Sequence, residues 1–146
     1  MAEEPGEDRS ALEQRERDLE ALQALYAHWE RGDFDFADVF AEDMVWAPAD
    51  ALEAGEYTGV GEIKKAWRTW LQSWEPPFRI RATEIIPGTE GKYVVMQVFS
   101  GKGKSSGVES EESTGLVVTL REGKITRMEG YWDRDEAFRA ASIEPR

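Results

Sequence analysis

The spacing of apolar residues along this chain changes at Pro76-Pro77. Before the pair, Leu12, Leu19, Leu22, Leu25, Tyr26 and Trp29 recur at helical intervals, and so do Ile63, Trp67, Trp70, Leu71 and Trp74. After it the interval is two. Runs of alternating residues are separated by Gly88-Thr89-Glu90-Gly91, by Lys102 to Gly107 and by Glu122-Gly123. A pattern of one period does not sit as the other element, so helices come first and a sheet second.

The first helix is expected from Ser10 to Arg31, with Gly32 as a left-handed cap. A short second helix fits Phe34 to Phe40. Asp43 to Pro48 reads as a strand stopped by proline, and Asp50 to Thr58 as a loop. A third helix runs from Val60 to Trp74, its apolar face opposite Lys64, Lys65, Arg68 and Gln72, and the proline pair ends it. Strands follow at Phe78–Pro87, Tyr93–Gly101, Val108–Arg121 and Lys124–Trp132, their short connections implying antiparallel neighbours. Asp133 caps a last helix over Ala137 to Ala141. Residues 1–8 are acidic, contain Pro5 and Gly6 and read as a disordered tail. Residues 9–142 make one domain and 143–146 a C-terminal tail. The class is α+β: one curved antiparallel sheet wrapped on three N-terminal helices, enclosing a cone-shaped hollow.

Composition narrows the function. Cysteine is absent and His28 is the one histidine, which excludes thiolate chemistry and a His-rich zinc site. No loop has calcium-loop spacing, and no metal or cofactor is expected. The net charge of −12, with Lys and Arg scattered among acids, argues against nucleic acid and anionic membranes as partners. No apolar run is long enough to span a bilayer. The start, MAEEPGEDRS, is unlike a signal peptide, so the expected location is the cytoplasm.

Four stretches resemble a known family: Tyr26 to Asp33 with Phe40 to Asp43, Tyr57 to Gly61, Ser106 to Glu109, and Leu120 to Ala137. Their order resembles the SnoaL-like, or ketosteroid isomerase-like, group of the nuclear transport factor 2-like superfamily, over roughly Leu19 to Ala141. The resemblance implies a dimer through the outer sheet face and a mostly apolar pocket between sheet and helices. It also implies positions for the isomerase acids. These fall at Ala47, before Pro48, and near Leu116, and neither is an acid. The family tyrosine of helix one falls at Leu25, with Tyr26 rotated from it by about 100°. The Asp-His pair of the cyclases and the Asp-Arg-Asp relay of the epoxide hydrolases are not found either.

Strand alternation, anchored by the resemblance, turns Leu116, Val118, Thr114 and Glu112 inward, with Met128, Gly130 and Trp132 on the last strand. On the second meander strand it turns Val94, Met96 and Val98 inward. The expected ligand-binding set is Tyr26, Trp29, Trp46, Trp67, Trp70, Met96, Val98, Leu116, Val118, Met128 and Trp132. Each has a plainer reading. Trp67, Trp70 and Trp74 read first as helix core, with Trp74 far from the mouth. Tyr26 reads as a helix tyrosine with its hydroxyl at the rim, and His28 as the wet end of that helix. Catalytic candidates are Tyr26 as a donor to an oxyanion, Glu112, and Glu84 as a buried acid. Glu112 also reads as part of a solvated cluster with Glu109 and Glu111.

Three uses fit this hollow: acid–base chemistry of isomerase, cyclase or hydrolase type on an apolar, oxygen-bearing substrate; a carrier or sensor for a small apolar molecule; or a dimeric interaction module whose cone is filled core. The expected dimer face is Val95, Gln97, Phe99, Val117 and Thr119, because the second meander strand is apolar on both parities.

Overall fold

In the computed structural model, which describes residues 5–48 and 55–141, α1 (Pro5–Glu30) lies across one face of a six-stranded sheet. The strands are β1 (Phe40–Ala47), β2 (Tyr57–Thr58), β3 (Trp74–Pro87), β4 (Lys92–Gly103), β5 (Glu109–Arg121) and β6 (Lys124–Tyr131), in the spatial order β2-β1-β6-β5-β4-β3. α2 (Val60–Leu71) packs beside α1 on the same face, and α3 (Arg134–Ala140) on the other. The α+β class and the curved sheet are as expected. The sheet is mixed rather than antiparallel, because β1 runs parallel to β6. No helix among the described residues is long and apolar enough to cross a membrane.

The helical half differs from expectation in three places. α1 begins at Pro5, inside the expected tail; residues 1–4, 49–54 and 142–146, with the C-terminal tail and most of the expected loop, lie outside the described residues. The second helix does not form. Asp33 Oδ1 accepts from Asp35 N–H at 3.1 Å, a side-chain turn that competes with a helical start. Phe34 instead drops between Trp29 and Phe78, 5.9 Å from each ring. Finally, α2 stops at Leu71, and Trp74 opens β3 opposite Gly103.

In β3, Ala82 pairs with Gln97 and Glu84 with Met96, leaving Thr83 as an extra residue. Such a bulge reverses the parity beyond it. Phe78, Ile80 and Ala82 face the core, and Ile85 takes over the inward role. Glu84 is therefore not a buried acid: it is exposed and paired with Arg134 at 3.0 Å.

The parity expected for β4 is inverted. Tyr93, Val95, Gln97 and Phe99 face the helices, while Val94 and Met96 pack on the convex side with Val117, Ala137 and Phe138. Val98 shares that outward parity. β4 is apolar on both sides because α3 covers its convex side within the same chain. Asp133 caps α3 as expected, accepting from Asp135 N–H at 2.8 Å. Of the five residues expected at a dimer face, Val95, Gln97 and Phe99 lie inward, and Val117 lies under α3.

Candidate ligand pocket

A cavity of about 450 Å³ lies between α2 and the inner sheet face, within the range that holds small molecules. All six tryptophans of the chain line it. Five arrive from four elements, and Trp132 from the turn that follows β6. Trp29 ends α1; Trp46 comes from β1 and stacks on Tyr57 of β2, with ring centres 5.4 Å apart. Trp67, nearly buried on α2, meets Trp29 at 5.6 Å, Trp46 at 5.5 Å and Phe40 at 5.8 Å, each with its rings steeply inclined. Edge-to-face contacts of this kind fix ring orientation as well as burying area. A second cluster joins Trp70, Trp74, Phe78 and Phe99. At the open side Trp70 is 41% exposed and Trp132 50% exposed.

Of the residues expected to bind a ligand, Trp29, Trp46, Trp67, Trp70, Leu116, Met128 and Trp132 line the cavity. Val118 is buried in the core behind it. Met96 and Val98 are on the wrong face and contribute nothing. Trp74 is a wall residue, not a distant helix end, because it belongs to β3. Glu112 stands in the lining but is exposed, and it is the only carboxylate there among the described residues. His28 lies outside the cavity, bonded to Asp33 at 2.8 Å and stacked on Phe36. That hydrogen bond, with the Asp35 N–H, holds the Asp33 carboxyl below its usual range.

Tyr26 is not at the rim. Its hydroxyl is buried behind the wall and donates to Gln97 Oε1 at 2.6 Å. Burial pushes its pKa well above the ordinary tyrosine value, so it remains a protonated donor. Gln97 Nε2 in turn donates to Thr114 Oγ1 at 3.2 Å. This line crosses from α1 to β4 to β5, and Gln97 and Thr114 both reach the cavity. Sequence reasoning missed Gln97. The signal was a lone amide on the period Tyr93, Val95, Gln97, Phe99, hidden because the other parity is apolar too. The indole Nε1 atoms of Trp29 and Trp74 are buried with no hydrogen-bond partner among the described residues.

The floor therefore offers hydrogen-bond donors and rings but, among the described residues, no carboxylate or imidazole. Leu116 is wall, and Ala47 ends β1 with no side chain to act as base.

Solved structures share this architecture. TerC, co-crystallised with polyporic acid, is 22% identical with a TM-score of 0.68, covering 86% of this chain and 97% of its own. An NTF2-like protein of unknown function from Burkholderia pseudomallei is 18% identical with a TM-score of 0.67, over 87% and 98% of the two chains. A phenazine biosynthesis-related protein from Pseudomonas aeruginosa is 17% identical with a TM-score of 0.67, over 94% and 93%. At such identity these likenesses show the cone-shaped NTF2-like fold alone. No curated protein sequence gives a significant match. The family model of the SnoaL-like domain matches residues 22–128, most of the chain, and the chain belongs to that family.

Proposed function

We propose that this protein binds a small, apolar, ring-bearing molecule in the cone, as a carrier or sensor. One observation carries the reading: an open cavity of about 450 Å³ walled by six indoles, with Glu112, its one carboxylate among the described residues, exposed at the mouth. A filled core would leave no such space. Ligand pockets are mostly apolar with a few placed polar atoms, which is the composition here. TerC, similar in architecture, was co-crystallised with polyporic acid, which supports a small-molecule guest for a protein of this fold.

A panel of steroids, terpenes and aromatic polyketides, titrated against intrinsic tryptophan fluorescence, tests it. At least one class should change the emission saturably. Trp132→Ala should weaken that binding roughly 2- to 10-fold, the worth of one aromatic contact. Stability should change by no more than about 0.5 kcal/mol, because Trp132 is half exposed. An emission unchanged by every compound removes the reading.

Glu112 favours a second reading. It shares the inward face of β5 with Thr114, so a carboxylate stands where a guest would enter. In that case the bound molecule is a substrate, and Glu112 acts as its general base or acid in cyclase- or isomerase-type chemistry. Glu112→Gln then abolishes turnover of whichever compound binds and leaves its affinity nearly unchanged.

A further inference from the structure

We infer that the floor of the cavity is a hydrogen-bond donor clamp for a neutral ligand carbonyl, with Gln97 and Thr114 as the contacts and Tyr26 as the residue that orients them. The inference rests on the pocket reading above and names the chemical class that the pocket selects.

The two hydrogen bonds of Gln97 decide which way its amide points. Reversing the amide would put nitrogen beside the Tyr26 oxygen at 2.6 Å and oxygen beside Thr114 at 3.2 Å. The shorter distance suits O–H···O and is short for N–H···O, while the longer one suits N–H···O. So Tyr26 donates to Oε1, and Nε2 faces Thr114. The consequence reaches the cavity. The floor's one strong amide acceptor is consumed from behind by a hydroxyl that burial keeps protonated. Nε2 retains a second N–H, and Thr114, having accepted, retains its own O–H. Neither group has another partner among the described residues. Both residues are more than nine-tenths buried, Gln97 at 8% exposure and Thr114 at 7%.

Donors left unmet in an apolar site are costly, and a ligand oxygen that accepts from both removes the cost. The charge of that oxygen also follows. No Lys or Arg lines the cavity among the described residues, Glu112 stands at its mouth, and the chain carries a net −12. A carboxylate guest would enter against that field with no cation to meet it. A ketone carbonyl within a ring system fits both the walls and the floor.

The probes are 9-fluorenone and fluorene, the same tricyclic frame with and without a carbonyl, each titrated against tryptophan fluorescence. Fluorene-9-carboxylate is the anionic control. The expected result is a ketone-to-hydrocarbon affinity ratio that falls about 3- to 10-fold in Gln97→Leu, the worth of one net hydrogen bond. It should fall in Tyr26→Phe as well, although Tyr26 touches no ligand, because the freed amide can turn. The carboxylate should bind most weakly of the three. The infrared carbonyl band of bound fluorenone should lie below its position in cyclohexane. A ratio unchanged in Gln97→Leu overturns the clamp and leaves the pocket standing. If neither tricycle binds the wild-type protein, the clamp falls, and the pocket reading is decided by the steroid, terpene and polyketide panel. Should the variants fail to fold, the wild-type band decides alone: a carbonyl at its cyclohexane frequency meets no donor.

Discussion

Asp18 is a carboxylate only 1% exposed on α1, a place where a charge survives only with partners. It accepts from the Tyr93 hydroxyl at 2.9 Å and from Gln14 Nε2 at 3.0 Å. Asp18→Ala should therefore cost about 1–3 kcal/mol, since it leaves a buried hydroxyl without its acceptor. Asp18→Asn, which keeps an acceptor oxygen, should cost less. Urea denaturation with an unchanged slope reads the difference; equal losses for the two variants would show that the hydrogen bond is not what matters. Nothing in Arg15-Glu16-Arg17-Asp18 sets this acid apart by composition. Its position does: Asp18, Leu22, Leu25 and Trp29 follow one another at intervals of four, three and four, so it lies on the buried stripe. The same geometry buries Tyr26. The tryptophan walls were legible because a large apolar ring on an inward period has few places to go. Gln97 was not, since a polar side chain earns its place through a partner 71 residues away.

At the scale of elements, the change of period at the proline pair located helices and strands well, and it misplaced their joints. α2 and β3 share the tryptophan-rich stretch, and the boundary falls at Leu71 because the β3–β4 ladder captures Trp74. The extra residue Thr83 cannot be read from alternation, which Ile85-Ile86 satisfies on either face. The capture of Trp74 depends on a missing side chain. A Cβ on Gly101 would stand 2.5 Å from Phe78 Cδ1 and 3.0 Å from Trp74 Cε3, so both rings lie directly on the backbone of β4. Phe78 is buried and cannot swing aside. Gly101→Ala should destabilise the protein by about 1–3 kcal/mol through overpacking. It should also shift tryptophan emission, as Trp74 is pushed within the wall. A melting temperature and an emission maximum both equal to wild type would contradict this packing.

Over the whole molecule, formal charge and buried hydroxyls are kept apart. The net charge of −12 is carried mostly by exposed side chains, while the interior of the cone holds neutral donors, with Asp18 the one buried acid among the described residues. Such an interior is vulnerable at one end of the pH scale. Tyr26 and Tyr93 both have pKa values raised from the ordinary 10, in each case chiefly by burial, and for Tyr93 also by its bond to the Asp18 carboxylate. In the unfolded chain they lose protons near 10, and in the folded protein only well above it. Their contribution is therefore complete below about pH 10 and is lost as pH rises toward the folded values. Stability should be level through neutral pH on their account and decline above about 10. The tyrosinate absorbance of these two residues should then appear together with the loss of circular dichroism, not before it. Tyr26→Phe removes one ionising group and should make the alkaline decline shallower. If all four tyrosines of the chain titrate ahead of unfolding, their hydroxyls reach water in the native state. The line from Tyr26 through Gln97 to Thr114 would then not be the closed floor that orients a guest.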